Sequence, residues 1–235
     1  MSAAPDANAS AAPGDLAGRL AEVTGRIAEA AADAGRDAGE ITTIVVTKFH
    51  PAALVSRLAD LGVRDIGENR HQEAQAKAAE LAALDLRWHF IGQLQSKKAR
   101  QVRAYASAIH SVDRGALVDA LRSDEASVDC FVQVNLTDDP GRGGVLPEGV
   151  PALVEHVLET PGLRLRGLMA VAPLGEPARP AFARVRELSE HVRRLEPTAH
   201  DLSMGMSHDF RDAIMEGATH LRIGTAITGN RPDAG

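Results

Sequence analysis

One lysine of the chain stands where its amine could act as a nucleophile. Lys48 directly follows ITTIVVT (41–47), a continuous β-branched run that is typical of a buried strand in a parallel sheet. We expect partial desolvation at this strand end, which favours the neutral amine that attacks an aldehyde to form an imine. An arginine cannot do this, and only four of the 26 basic residues are lysines. The alternative is a strand-end lysine whose ammonium reaches water.

Two glycine-containing turns near the end of the sequence could bind a phosphate. HDLSMG (200–205) predicts a strand and a turn that lead into a helix with Ser207 as its N-cap. HLRIG (220–224) predicts another strand, which ends at Gly224 and Thr225. Backbone N–H groups at such turns, together with a helix dipole, attract anions. Two ordinary strand-to-helix turns would give the same pattern.

Arg222 lies inside the last predicted strand, two residues before Gly224. An arginine that faces a barrel interior could donate to the nitrogen of a pyridine ring, and an ion pair with a neighbouring strand is the alternative. A nucleophilic lysine, a phosphate site and such a donor together are what pyridoxal 5′-phosphate, a phosphorylated aldehyde, requires. Because a guanidinium keeps its proton, the ring nitrogen would stay unprotonated and the ring would be a weak electron sink.

The elements that must position these residues alternate between β-rich and amphipathic segments. Parallel strands need a helix-length connection, so the pattern predicts an α/β fold. An open doubly wound sheet alternates in the same way, but eight units in one chain of 235 residues favour a single-domain (β/α)8 TIM barrel. We expect this barrel over residues 15–232 and a disordered tail over 1–14. The predicted strands are 41–47, 63–67, 87–92, 108–112, 129–136, 163–170, 200–205 and 220–224. The predicted helices after the first are 51–61, 69–84, 93–106, 114–122, 150–159, 178–195 and 208–216.

In a barrel of this kind the active site lies at the C-terminal ends of the strands. The residues at those predicted ends are mostly polar, although simple strand-end polarity would account for any single member. They are Lys48, Glu68, Asn69, Gln93, Ser111, Asn135, Met169, Ser203, Met204, Gly224 and Thr225.

Composition excludes several classes of partner. A net charge of -6 argues against non-specific nucleic-acid binding, and no apolar run is long enough to cross a membrane. The single cysteine, Cys130, lies in a predicted strand, where a buried and inert thiol is expected. Since no intramolecular disulfide can form and no signal peptide is apparent, we expect a soluble cytoplasmic protein.

Several segments together resemble the pyridoxal phosphate homeostasis protein family, also called the proline synthase co-transcribed bacterial homolog proteins. The resemblance covers about residues 16–230. The matching segments are VVTKFHP, DIGENRHQEAQAK, WHFIGQLQSKKAR, HSVDR, VQVNL, GLMAVAP and LSMGMSHDF…GATHLRIGTAITG.

The resemblance implies a fold similar to the N-terminal barrel of alanine racemase, with pyridoxal phosphate held as a Schiff base on Lys48. It also implies that Asn69 lies near the cofactor and that Arg222 faces the ring nitrogen. The residues implied at the phosphate or in the same turn are Ser203, Met204, Ser207, Gly224 and Thr225. Members of this family are similar to carriers or regulators of the cofactor and have no established turnover, so apo forms of pyridoxal-phosphate enzymes are the expected recipients.

A weak racemase or lyase remains the alternative function. A racemase needs a second base, and the single tyrosine, Tyr105, has the helical spacing of a packing residue. His89 and His110 lie within predicted strands, where core histidines are more common than metal ligands. We therefore expect a cofactor carrier that is monomeric and binds no metal.

Overall fold

The computed structural model describes residues 15–230 and contains a closed barrel of eight parallel strands. Each strand pairs with the next one along the chain, and the last pairs with the first. The predicted (β/α)8 barrel is confirmed and the open sheet is wrong. The predicted tail (1–14) lies outside the described residues, as do the last two residues of the predicted domain. The strands are β1 (Thr42–Val46), β2 (Asp65–Glu68), β3 (Arg87–Phe90), β4 (Ala108–Val112), β5 (Val128–Val134), β6 (Leu163–Ala170), β7 (Asp201–Ser203) and β8 (His220–Ile223).

Helices connect the strands and pack against the outside of the barrel. Within residues 15–230, no helix combines the length and the apolar character that crossing a bilayer requires. The α-helices are α1 (Leu16–Asp33), α2 (Ala52–Asp60), α3 (His71–Glu80), α4 (Ala99–Arg103), α5 (Gly115–Leu121), α6 (Val150–Glu159), α7 (Ala178–Leu195), α8 (Phe210–Met215) and α9 (Thr225–Thr228).

Successive side chains of a strand point to opposite faces, and here the two faces differ in character. Val45, Ile66 and Phe90 belong to the large hydrophobic core between the sheet and the helices, as does Cys130. Burial raises the pKa of the Cys130 thiol to about 12, so the expected inert cysteine is confirmed. The intervening side chains face the barrel interior, which is largely polar.

Two predicted helices are shorter than the sequence pattern indicates. The segment predicted as one helix over 93–106 forms a 3-10 turn at Ser96–Lys98 and then only α4. Before that turn, Gly92 lies so close to the Asn69 backbone that a Cβ atom would stand 2.2 Å from the Asn69 carbonyl oxygen. The helix predicted over 69–84 begins only at His71, because Arg70 at its N-cap is still extended.

The pairing of β8 with β1 places the last strand of the barrel beside the first. The paired residues run from Thr42 with His220 to Val45 with Ile223. A Cβ atom built on Gly224 would lie 3.7 Å from the Cβ of Val46. The turn after β8 therefore adjoins the strand end that carries Lys48.

A buried ion pair holds α3 against the outside of the barrel, directly behind this strand end. Lys77 Nζ lies 2.6 Å from Glu68 Oε1 and also donates to the Thr47 carbonyl oxygen at 2.9 Å. The Thr47 hydroxyl donates to the same Glu68 oxygen at 2.6 Å. Burial raises the pKa of Glu68, although the bonds from Lys77 and Thr47 oppose the shift.

Loss of Lys77 should destabilise the protein because it leaves the Glu68 carboxylate buried without a cation. We expect Lys77→Met to lower the free energy of unfolding by about 3 kcal/mol in urea denaturation. The double variant Lys77→Met with Glu68→Gln should recover much of that loss. Lys97→Met, at an exposed lysine, is the matched control. A loss for Lys77→Met no larger than that of the control would contradict this account.

Candidate cofactor site

Lys48 lies at the C-terminal mouth of the barrel, on the turn that follows β1. It is in phase with Ile44 and Val46, whose side chains face the interior beside Gly67. The Lys48 side chain is exposed, so the expected partial desolvation is wrong. The turn carries this lysine beyond the strand end, and the buried lysine of the chain is Lys77.

The turn that carries Lys48 has a strained conformation. Phe49 has a φ of 69°, in the left-handed region that residues other than glycine seldom adopt. Its N–H donates to Glu73 Oε2 at 3.1 Å, and the Arg70 guanidinium lies 4.8 Å from the centre of its ring. Such strain persists where the surroundings hold it, and it is concentrated at functional sites. Contacts from α3 and the residue before it thus fix the backbone next to Lys48.

The turns after β7 and β8 meet at the same mouth. Ser207 Oγ lies 3.5 Å from the backbone nitrogen of Ala226, so the first turn contacts the start of α9. The prediction of Ser207 as a helix N-cap is wrong, because α8 begins at Phe210 with Asp209 before it. The Asp209 carboxylate instead accepts from the backbone N–H of Met206, which gives the segment its own tight turn.

Gly224 and Thr225 occupy the second of these turns. Gly224 precedes α9, and Thr225 is the first residue of that helix with an exposed side chain. The structure therefore brings Ser207, Gly224 and Thr225 together near Lys48, as the sequence predicted for their position. Their contact with a phosphate stays a prediction.

Arg222 faces the barrel interior and is 5% exposed. One Nη atom donates to Ser203 Oγ at 2.7 Å and the other to the Ala170 carbonyl oxygen at 2.8 Å. Ser203 and Ala170 are the last residues of β7 and β6, so the guanidinium lies near the C-terminal mouth. Burial lowers the pKa of Arg222 to about 10, which leaves it cationic at neutral pH. Within residues 15–230 its partners are this hydroxyl and this carbonyl rather than the alternative ion pair.

The two residues at the end of β7 point to opposite sides of the barrel wall. Ser203 is fully buried inside, where its hydroxyl contacts Arg222 and lies 2.9 Å from His110 Nδ1. Met204 packs in the outer hydrophobic core, so its side chain is turned away from the mouth. The prediction that Met204 contacts a cofactor can apply only to its backbone.

Three buried polar atoms of the described residues have no hydrogen-bond partner, and all belong to the ends of β2 and β4. They are Asn69 Oδ1, Glu68 Oε2 and Ser111 Oγ. A buried acceptor without a donor costs about 1–3 kcal/mol, so it needs an explanation. Asn69 directly follows β2 and lies in phase with Gly67 on the interior side. Its free amide oxygen is suited to a donor of a ligand at the mouth.

Other strand-end polar residues serve the loop after β5. Gln93 Nε2 donates to the Gly141 carbonyl oxygen at 3.2 Å. Asn135 donates to the Asp139 carbonyl oxygen at 2.9 Å and accepts from the Thr137 backbone N–H. The polar side chains of Gln93 and Asn135 therefore hold the loop after β5 in place.

The interior contains polar residues that sequence reasoning did not connect to the site. His89 and His110 are buried core histidines, as predicted, and hydrogen-bond to each other. Asp65 accepts from the first of them and was not predicted at all. Their common signal is strand phase: Asp65 faces inward on β2 and His89 faces inward on β3, where His89 is paired with Gly67, two residues after Asp65. No group of residues suited to a metal ion occurs within 15–230.

These residues fit pyridoxal phosphate by their chemistry. The mouth offers an accessible amine at Lys48, a buried cation at Arg222 and an unpaired acceptor at Asn69. The backbone turns around Ser207 and Gly224 complete one continuous rim. The amine matches the aldehyde, the cation matches the ring nitrogen, and the hydroxyl-lined turn matches the phosphate.

Comparisons with known proteins agree with this fold and identify the family. The family model described as the alanine racemase N-terminal domain matches residues 24–232. The pyridoxal phosphate homeostasis protein of Pseudomonas aeruginosa is 45% identical, with 92% of this chain and 96% of that protein covered. The protein of the same name from Escherichia coli is 38% identical, with 92% and 97% covered.

Solved structures give the same result. PipY of Synechococcus elongatus, solved with PLP bound, is 36% identical, has a TM-score of 0.79 and is covered in full by 92% of this chain. Alanine racemase of Corynebacterium glutamicum has a TM-score of 0.71 at 15% identity, with 92% of this chain and 62% of that chain covered, which shows a shared fold alone. The chain belongs to the pyridoxal phosphate homeostasis protein family and has the barrel of the alanine racemase N-terminal domain.

Proposed function

We propose that this protein binds pyridoxal phosphate as a Schiff base on Lys48 and serves vitamin B6 homeostasis as a carrier or regulator without robust catalysis. The observation that carries the proposal is the adjacency of Lys48 to the turn at Gly224, which the pairing of β1 with β8 produces. When bound, the cofactor supplies an aldehyde that condenses with amines and a ring that accepts electron density. PipY, solved with PLP bound, supports the proposal.

The residues around Lys48 contact different parts of the ligand. Ser207, Gly224 and Thr225 hold the phosphate through hydroxyl and backbone N–H groups at the start of α9. Arg222 donates to the ring nitrogen, and the side-chain amide of Asn69 lies at the same mouth. Ser203 acts on the ligand indirectly, because its hydroxyl is already engaged by Arg222.

Two features favour a carrier over a catalyst. An arginine at the ring nitrogen keeps the ring a weak electron sink, and the Arg222 guanidinium stays protonated at neutral pH. Tyr105 is unsuited to be a second base: its hydroxyl lies 3.5 Å from His71 Nδ1, and burial raises its pKa. Its ring packs against the hydrophobic core, as the sequence predicted. The relatives are likewise named for homeostasis rather than for a reaction.

The proposal extends to the recipients of the cofactor, the cellular compartment and the oligomeric state. Apo forms of pyridoxal-phosphate enzymes are the proposed recipients, and the cytoplasm is the proposed compartment. We propose a monomer, because Lys48, Asn69 and Arg222 all come from one chain and no residue of the proposed site is left for a second copy to supply.

Replacement of Lys48 should abolish the spectroscopic signature of binding. Titration of the wild-type protein with pyridoxal phosphate should produce the absorption band of an imine, distinct from that of the free cofactor, and Lys48→Ala should show only the free cofactor because the reacting amine is gone. Lys97→Ala, at an exposed lysine of the 3-10 turn, is the matched control and should keep the band. A band of unchanged intensity in Lys48→Ala would refute the role given to this residue.

The carrier and the weak enzyme make opposite predictions about amino-acid substrates. The loaded protein should exchange the α-proton of L- and D-amino acids in D2O no faster than free pyridoxal phosphate, as followed by proton NMR. On mixing, it should restore activity to an apo-enzyme that depends on the cofactor. The control is Lys48→Ala given the same total amount of cofactor. Exchange well above the free cofactor, without transfer, would favour a racemase or lyase instead.

A further inference from the structure

A chain of side-chain hydrogen bonds crosses the barrel interior from the N-terminal to the C-terminal end of the strands. His89 Nε2 lies 2.9 Å from Asp65 Oδ1, and His89 Nδ1 lies 2.9 Å from His110 Nε2. His110 Nδ1 lies 2.9 Å from Ser203 Oγ, which accepts from Arg222 at 2.7 Å. All five side chains are buried.

The two ends of this chain have fixed hydrogen-bonding roles. Arg222 can only donate. At the other end, Arg87 donates twice to Asp65, at 2.7 and 2.5 Å. Burial by itself would raise the pKa of Asp65, but the hydrogen bonds from Arg87 and His89 bring it well below its usual range. Asp65 is therefore a carboxylate that can only accept.

With both rings neutral, the donor-only end and the acceptor-only end determine the direction of every bond between them. His89 donates from Nε2 to Asp65, so in its neutral form it accepts at Nδ1 from His110. His110 then accepts at its own Nδ1 from the Ser203 hydroxyl, whose oxygen accepts from Arg222. In this arrangement each neutral ring carries its proton at Nε2. Each donor in this arrangement meets one acceptor.

An additional proton on either ring would break this match. The bond between His110 and Ser203 would reverse, and the Ser203 hydroxyl would then face two donors and lose its acceptor. Burial lowers the pKa of His110 well below its usual value, and the charge of the nearby Arg222 acts in the same direction. The neutral form of His110 is therefore strongly favoured.

We infer that His89 and His110 are positioning residues that fix, through Ser203, the orientation of the Arg222 guanidinium at the ring nitrogen of bound pyridoxal phosphate. This inference rests on the proposed function. The bonds to Ser203 and to the Ala170 carbonyl use two of the five guanidinium N–H groups, which leaves others for the ligand. His110 is itself held by stacking on Phe131, with ring centres 4.3 Å apart.

NMR spectroscopy of the protein without pyridoxal phosphate tests the chain of side-chain hydrogen bonds independently of ligand binding. Nitrogen-15 shifts of the imidazoles should show His89 and His110 as neutral rings protonated at Nε2. The two Nη groups of Arg222 should give separate signals, because a fixed guanidinium does not rotate freely. Cationic rings, protonation at Nδ1 or averaged Arg222 signals would overturn the inference.

Matched variants separate positioning from a merely structural role. His110→Phe keeps an aromatic ring on Phe131 but removes both hydrogen bonds, so the Arg222 signals should average. His110→Gln offers one acceptor and one donor and should restore separate signals. His220→Phe is the control. His220 lies in the same interior, with its ring centre 6.2 Å from that of His110, but it is not part of the hydrogen-bonded chain of side chains. If His110→Phe does not fold, Ser203→Ala breaks the same link and should have the same effect.

The loaded protein provides the second readout. His110→Phe should weaken binding of pyridoxal phosphate about tenfold, as expected for the loss of one hydrogen bond to a charged group, and should shift its visible band. His110→Gln and His220→Phe should stay near the wild type. If no form of the protein, including the wild type, binds pyridoxal phosphate, the proposed function is wrong. The NMR result still tests whether the hydrogen-bonded side chains fix Arg222. If His110→Phe binds as tightly as the wild type with an unshifted band, the inference alone fails.

Discussion

The pairing of β8 with β1 is the constraint on which the site depends. In an open sheet of eight strands, the first and last strands would lie roughly 33 Å apart, since neighbouring strands are separated by about 4.8 Å. Closure instead pairs Val45 with Ile223 and places Gly224 against Val46. An amine from the start of the chain and a turn from its end thereby form one rim. The adjacency of these two segments at the mouth follows from the barrel topology.

The second feature that defines the molecule is its polar interior. Barrels of this class are usually filled with layers of branched aliphatic side chains. Here the interior apolar cluster of Ala108, Phe131 and Met169 is small, and a hydrogen-bonded chain ending at Arg222 runs past it. Each unmatched buried group would cost about 1–3 kcal/mol, so such an interior is stable only when its donors and acceptors match. The matching makes Arg222 a fixed cation rather than a mobile one.

Local pattern was sufficient to predict the fold and the end of the barrel at which Lys48 and Gly224 lie. The alternation of strand and helix patterns predicted the order of the elements. Lys48 and Gly224 were both predicted to lie at the C-terminal ends of strands. What failed depended on the geometry of the turns that follow the strands. The N-cap predicted at Ser207 gave way to a tight turn through Asp209, whose carboxylate binds the Met206 N–H. The exposure of Lys48 depends on where the turn after β1 projects.

Other features had no local signal at all. The pair of Lys77 with Glu68 requires the rotational setting of α3 against the barrel, which sequence spacing does not determine. The bond from His110 to Ser203 joins β4 to β7, which are not neighbours in the sheet, so it crosses the barrel. Strand phase predicts only that both residues face inward.

The central claim, that one amine at the barrel mouth binds the cofactor covalently, is tested most directly by chemical trapping. The protein is loaded with pyridoxal phosphate, reduced with borohydride, digested and mapped by mass spectrometry. The account predicts a single phosphopyridoxyl group on the peptide that contains Lys48. A group on the peptide of Lys77 or Lys97 instead, or no stable adduct at all, would contradict it.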